Sequence, residues 1–488
     1  MKKALILFLA AALLFPLAAC GGTGDKPDAA DPSATDAPAT GTQDAEDYAA
    51  YMPAADYDGY EFCILKHGDV SWCLDDVWAE GSAADAYSDA IFNRNCRIEA
   101  ALDIKITQFE GVVDSLIQSC VMTGDDNYAI AYPTLSAAAS LGGQDLLVDL
   151  KLIPEYHLDM PWWDAAAVDY LTIAGRLFFA ENEINIQYDE ATWVLYFCKN
   201  LIERYTLESP YELVRNNAWT MDKMHEMMTA VAHDEDGNGE RNAPADYFGF
   251  STHWGSYVGL LSGAGESLVR PDGEKSYVSN LYSERMVLIA EKIGSIMNDM
   301  NATVIPNRFK GAGAAEGAWA INTFYNEHSL FYGEVIGQFA NLREMEGDFG
   351  LLPFPKYETT QEYYTCEVLN TAFAYVIPRS VEDKSRTATI TEALAIDSHG
   401  DFIDAYLDTT ITSKSMRDKE SREMLQIIFQ YRVYDLGDIF GWGGIADTFQ
   451  SAVNAGGKFL ASSAQRIESA FRQAVKGSME AYAAASGW

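Results

Sequence analysis

At 488 residues the chain is long enough for two or three compact units of ~100–200 residues each. Hydrophobic residues make up 48% of it and aromatics 12%, so it can bury sizeable cores and still present rings to a ligand. Acidic residues outnumber basic ones 72 to 34, and the formal net charge of −38 repels phosphate backbones, which argues against nucleic-acid binding.

The chain opens as a targeting segment. "MKK" supplies positive charge, "ALILFLAAALLFPLA" an apolar stretch, and "LAAC" ends it at Cys20, ahead of Gly21 and Gly22. Residues 1–19 read as a lipoprotein signal peptide. The small residues before Cys20 resemble the bacterial lipobox, in which that cysteine is lipidated and becomes the mature N-terminus. Ordinary cleavage without a lipid is the alternative. Residues 20–56 read as the lipidated cysteine and a disordered acidic tether; 21–47 hold Gly, Pro, Ala, Thr and Asp with no aromatic, and cannot bury a core. The expectation is an exported protein on the outer face of a bacterial cell membrane, held by its lipid alone. No later stretch approaches ~20 consecutive apolar residues.

The body begins near Tyr57. "YEFCILKH" is apolar and β-prone, a strand. Ser82 and Asp85 suggest a cap, and Tyr87, Ile91, Ile98 and Leu102 fall at helical spacing. "DIKITQF" predicts a second strand, "VDSLIQSCVM" a helix and "NYAIAY" a third strand. This alternation implies an α/β unit with a largely parallel sheet. "LTIAGRLFFA" suggests a hairpin through Gly175, and "ATWVLYFCKN" a buried strand. From Lys199 the texture turns helical. Thr220 is placed to cap a helix whose Met221, Met224, Met228 and Val231 share one face, a stripe that reads as core. "LYSERMVLIAEKIGSIMNDM" predicts another amphipathic helix. "FGLLPFPKY" and "NTAFAYVIPRS" return to β, and "SREMLQIIFQYRVYDLGDIF" and "ADTFQSAVNAG" close the chain as helices. The expected fold class is α/β with two lobes, a ligand cleft between them and several chain crossings. The boundaries drawn are 57–186 and 350–403 for lobe 1, and 187–349 and 404–488 for lobe 2.

Motifs for catalysis are absent. There is no GxSxG elbow and no GxxxxGK[ST] loop. "HEMMT" at His225 carries Thr229 where a zincin needs histidine. After Cys20, six cysteines remain at irregular spacing, with Cys63 and Cys73 the nearest candidates to pair, and no CxxC suggests zinc. What recurs instead is an aromatic beside polar or turn residues: "SWCLDDVW", "DMPWWD", "FSTHWGS", "SLFYGE", "IFGWGG". Aromatic faces pack on the C–H faces of sugar rings while carboxylates and amides bond the hydroxyls, so this pairing points to a saccharide cleft. Burial in core is the competing reading for any one of these rings.

Over residues 57–488 the chain resembles bacterial extracellular solute-binding proteins of the carbohydrate type (family 1, similar to maltose-binding proteins), lipoproteins that feed ABC importers. The resemblance is carried by "DAIFNRNCRIEAALDIKI", "LGGQDLLVDLKLIPE", "NAWTMDKMHEM", "DEDGNGE", "YFGF", "FGLLPFPK" and "SMRDKESREMLQII", in that order. It implies a two-lobed type II fold that closes on its ligand without catalysis, needs no cofactor, acts as a monomer and presents the closed form to permease subunits. By local context it implies ligand contacts at Trp72, Asp75, Tyr132, Trp162, Trp163, Trp254, Tyr332 and Trp442, with one of Trp162 and Trp163 left as a supporting residue. Two alternatives stay open: a secreted glycan hydrolase, since two carboxylates across a cleft suffice for that chemistry, and a binder of peptides or other solutes on the same fold.

"HDEDGNGERNAPAD" resembles a calcium loop. Asp234, Asp236 and Asn238 take its first, third and fifth positions, Gly239 the sharp turn, Glu240 the seventh and Asn242 the ninth. The closing bidentate Glu is missing: Ala245 stands there, with Asp246 one residue late. A strand-like "YFGF" follows where an EF-hand needs a helix. A structural calcium site in one lobe and a metal-free acidic turn both remain.

Overall fold

The structure, a computed structural model, describes residues 48–488 except 49, 69, 71–76, 80–85, 242–244, 274–275, 306–315, 400–401, 403–404 and 407–418. The expectations at the signal peptide, Cys20, the tether as far as residue 47, Trp72, Cys73, Asp75, Ser82, Asp85 and Asn242 lie outside the described residues. The last stretch assigned to the tether is no free linker: Tyr48 and Tyr51 set their rings edge-on to Trp162 at 5.4 and 5.6 Å, because aromatics there can bury against the body. Among the described residues no helix is long and apolar enough to cross a membrane, and Cys63, Cys96, Cys120, Cys198 and Cys366 are free thiols.

Two sheets organise the chain. The first joins β1 (Tyr60–Lys66), β2 (Ile104–Glu110) and β3 (Ile130–Ala131) in the order β2-β1-β3, every pair parallel. Parallel neighbours need crossovers, and helices Ala86–Leu102 and Val113–Thr123 supply them. The first buries Tyr87, Ile91, Ile98 and Leu102, the face its spacing predicted. Gly175 turns the predicted hairpin with φ at 80°, but its arms meet in a single bridge, Ile173 to Arg176.

The second sheet comprises β4 (Trp193–Cys198), β5 (Phe248–Ser251), β8 (Thr303–Val304), β9 (Ser329–Val335) and β10 (Phe349–Leu352), in the order β10-β4-β9-β5-β8. β4 runs antiparallel to both neighbours, whereas β5 is parallel to β8 and β9. All six residues of β4 are buried, as expected of a strand covered on both faces. The helix Met221–Val231 packs its methionine stripe inward, and Thr220 caps it by accepting the Lys223 N–H. A small hairpin, β6 (Val269–Pro271) with β7 (Tyr277–Ser279), stands apart.

Between the sheets three chain segments pair side by side. β11 (Cys366–Glu367) lies parallel to β12 (Arg432–Val433), and Val368 bridges Thr192. Leu369 N–H donates to Ala191 C=O at 2.9 Å and Val368 N–H to Val433 C=O at 3.0 Å.

Four expectations need correction. The boundary at 350 cuts β10, an edge strand of the second sheet; the chain returns toward the first sheet only through β11. "NTAFAYVIPRS" is no continuous strand: Phe373 and Val376 bridge the 131–134 stretch in single bridges, Tyr375 bridges Ala180 and Pro378 bridges Leu147, so no ladder propagates. "SREMLQIIFQYRVYDLGDIF" is not one helix. It breaks after Gln430 into β12 and a short helix Leu436–Phe440, because Asp435 caps a fresh start by accepting the Gly437 N–H at 2.7 Å. Finally, the 25-residue helix Leu460–Ala484 belongs to both regions. Just before its start, Gly457 seats on the backbone of Glu291. At its other end Tyr482 donates to Ala139 C=O at 2.9 Å, and Asp149 N–H donates to Gly487 C=O at 2.9 Å.

Candidate functional site

In an open α/β sheet the ligand crevice lies at the carboxyl ends of the strands, where the order reverses. β1 has β2 on one side and β3 on the other, so the reversal sits at its end, Lys66 and His67. His67 stacks on Phe373, ring centroids 4.8 Å apart, and burial lowers its pKa. Tyr132, directly after β3, reaches the same edge; it is buried, with its ring edge-on to Tyr375 at 6.2 Å.

The matching edge of the second sheet holds the end of β9, the start of β4 and the loop after β5. There Glu334, Trp193, His253 and Trp254 meet. Gly255 N–H donates to His253 Nδ1 at 3.0 Å, so the ring proton resides on Nε2, which faces a Glu334 oxygen at 3.0 Å. The His253 ring lies 5.6 Å from that of Trp193, whose indole N–H is buried without an acceptor among the described residues. A buried donor left open is costly, and a ligand oxygen would satisfy it.

The remaining sequence candidates sit elsewhere. Trp162 and Trp163 are core residues of the first region: their indole N–H groups donate to the two oxygens of buried Glu392, at 2.9 and 3.1 Å. Tyr332 is mid-strand in β9, stacked between Tyr196 at 5.9 Å and Phe324 at 5.6 Å. Trp442 stacks on Phe440 at 4.7 Å and donates to Ser478 Oγ at 2.9 Å. Of the six described aromatic candidates only Trp254 is partly exposed, and it too leans on the core. The structure therefore brings Tyr132 and Trp254 to the two sheet edges and packs the other four against protein. Trp193, His253, Glu334 and His67 were not singled out from sequence. Two of them were within reach, since His253 and Glu334 fall inside the quoted "FSTHWGS" and "SLFYGE".

No protein-family model matches the chain, and no curated protein matches it. Solved structures do. A maltose/maltodextrin-binding domain from Bdellovibrio bacteriovorus bound to maltotriose aligns over 85% of this chain and 100% of its own, with a TM-score of 0.55 at 12% identity. A cyclic alpha-maltosyl-1,6-maltose binding protein from Arthrobacter globiformis aligns over 86% and 99%, with a TM-score of 0.55 at 12% identity. An ABC substrate-binding protein from Listeria monocytogenes in complex with cycloalternan aligns over 85% and 99%, with a TM-score of 0.53 at 12% identity. The chain has the two-lobed type II fold of periplasmic binding proteins.

On this fold the three paired segments are the hinge between the two lobes. Arg432 braces the hinge. Its guanidinium contacts Asp164 at 2.7 Å, pairs with Asp189, and lies 4.7 Å over the Tyr188 ring. Burial lifts the Asp189 carboxyl to about 7 even though Arg432 pulls the other way.

The acidic loop lies on the second-sheet side, between the helix Met221–Val231 and β5. Asp234 accepts N–H bonds from Gly237 and Gly239, each at 2.7 Å, and these hold its carboxyl below the usual range. Asp236 accepts from Asn238 N–H at 3.0 Å, and buried Asp246 accepts from Glu235 N–H at 3.0 Å. Carboxylate oxygens of Asp234, Asp236 and Asp246 come within 4.8 Å of one another. Asp246 thus reaches the cluster despite its late position, whereas Glu240 is not among the converging carboxylates. Asn238 turns its side-chain oxygen to Glu240 N–H at 2.7 Å. Because a strand follows, the loop is not an EF-hand.

Proposed function

We propose that this is an exported solute-binding lipoprotein, anchored through Cys20, that captures an oligosaccharide between its lobes and delivers it to the permease of an ABC importer. One observation carries the reading: the second-sheet edge holds a partly exposed Trp254, next in the chain to His253, together with the His253–Glu334 pair and the unpaired Trp193 N–H. A ring face suits the apolar face of a sugar, and the polar groups suit its hydroxyls. The solved proteins of this fold named above hold maltotriose and cycloalternan, which supports a saccharide as cargo. Binding shifts an open–closed equilibrium, because only the closed form lets both sheet edges touch one ligand. No bond is broken in this scheme, and a monomer suffices.

Calorimetry of the mature protein against linear and cyclic maltooligosaccharides and a peptide panel tests it, with product analysis alongside. Saturable 1:1 binding of an intact saccharide is expected. Hydrolysis of the glycan, or tight peptide binding with no response to any sugar, overturns the reading. The Asp234–Asp236–Asp246 cluster has the hard oxygen donors that suit calcium, and we assign it a structural rather than a sensing role.

A further inference from the structure

The hinge carries a cavity of its own, about 240 Å³ in volume. Tyr170 closes it from the helix Ala165–Tyr170, Glu266 and Arg270 from the stretch after the helix Tyr257–Gly263, and Glu367, Tyr434 and Asp435 from the paired hinge segments. None of Tyr132, Trp193, His253, Trp254 and Glu334 lines it, so it is separate from the cleft edges.

Three carboxylates border this space, and two are already engaged. Asp435 accepts N–H bonds from Leu268 at 2.5 Å and Gly437 at 2.7 Å. Glu266 pairs with Arg285 at 3.2 Å and accepts from Asn280 Nδ2 at 2.8 Å. Glu367 differs. It is 3% exposed, and its carboxylate accepts no hydrogen bond from any described residue. Its oxygens are not enclosed by protein on every side; they open onto the cavity, where a cation can reach them. Asp435 and Asp438 stand close enough to add repulsion, and together with burial they push Glu367 well above its ordinary value. Arg270 sits exposed at the rim.

We propose that the hinge cavity binds a small organic ammonium ion, with Glu367 as its counter-ion and the rings of Tyr170 and Tyr434 as its walls. A cation there offsets the repulsion that Asp435 and Asp438 exert on Glu367. A bare divalent metal suits the site poorly, since calcium takes six to eight oxygens, as a rule of about that number, and a single carboxylate is open. Aromatic walls favour an organic cation instead, and at about 30 Å³ per water-sized group the cavity admits only a small molecule. Its occupant touches both paired hinge strands.

Thermal unfolding of the mature protein at constant ionic strength tests this, with ethanolamine as the probe and ethylene glycol as its uncharged counterpart. A saturable rise in Tm with ethanolamine and none with ethylene glycol is expected. Glu367→Gln should weaken the apparent affinity about tenfold or more, the loss of a charge-assisted bond. An equal response in wild type and variant puts the amine elsewhere and overturns the proposal, as does a wild type that does not respond. Tyr170→Ala, at a surface wall of the cavity, gives a second check: an unchanged ethanolamine response there also counts against it. None of these readouts depends on whether the cleft takes a sugar.

Discussion

Two acidic regions of this molecule hold the same kind of residue in opposite states. In the 234–246 loop, Asp234 lies at the surface and takes two backbone N–H bonds, and its pKa falls. At the hinge, Asp435 is raised to about 6 and Asp438 to about 7, with burial the first cause in both. Net charge does not distinguish the two; solvation does, together with the company each carboxylate keeps. The loop spends its acidity on shaping backbone. The hinge stores it as tension that a cation or a proton can release.

The contrast breaks most visibly at Arg432. Arg432→Ala leaves Asp164 and Asp189 buried without their partner and should cost about 3–5 kcal/mol in urea unfolding. An effect below about 1 kcal/mol would mean that the pair is solvated like a surface bridge. Burial divides the tryptophans in the same way. Trp442→Ala should lower stability by about 3–5 kcal/mol, since its ring is packed and its N–H bonded. Trp254→Ala should leave Tm nearly unchanged and weaken saccharide binding by about 1–3 kcal/mol, by analogy with aromatic stacking on nucleobases. If the two effects are exchanged, the cleft lies at Trp442 instead.

The pH response sharpens the comparison further. Raised carboxyls contribute stability that is complete below their unfolded value of 3.8 and is lost as pH rises through about 6 for Asp435 and about 7 for Asp438. Asp234 works the other way: its contribution is present above its unfolded value and is lost as pH falls through the lower, folded one. Glu367→Gln should therefore raise the free energy of urea unfolding at pH 7.5, by about 1 kcal/mol, and that gain should shrink toward pH 5. A gain independent of pH would show that the carboxyl is not the source. The smallest effect belongs to the loop. A chelator should lower Tm by a few degrees and calcium restore it; identical melting with and without chelator makes the loop a metal-free turn.

Local patterns were legible wherever one residue's neighbours in sequence decide its state. The helix Ala86–Leu102, the strand at Tyr60, the Thr220 cap and the methionine stripe all follow from spacing and caps. Legibility failed where partners are distant. Trp162 and Trp163 look like sugar platforms in "DMPWWD", but Glu392, about 230 positions further on, satisfies both indoles. Trp193 reads as one more buried residue of an apolar strand, and nothing nearby reveals that its N–H is left open at a sheet edge. At 431–435 helical texture gave way because pairing with β11 and a capping aspartate outweighed a local preference. The helix Leu460–Ala484 was visible in principle, through Phe471, Val475, Met479 and Tyr482 at helical spacing, but its alanines and serines thin the pattern.

That last helix has a consequence for how the protein matures. The first sheet is made from the opening third of the chain, yet Ala139 and Asp149 find hydrogen-bond partners in Tyr482 and Gly487, more than 330 positions later. Emerging from the ribosome or an export channel, the first lobe cannot finish until the final residues arrive. Such long-range closure slows folding and prolongs exposure of unfinished surface. A chain shortened by its last seven residues should complete the second lobe and leave the first one open to proteases.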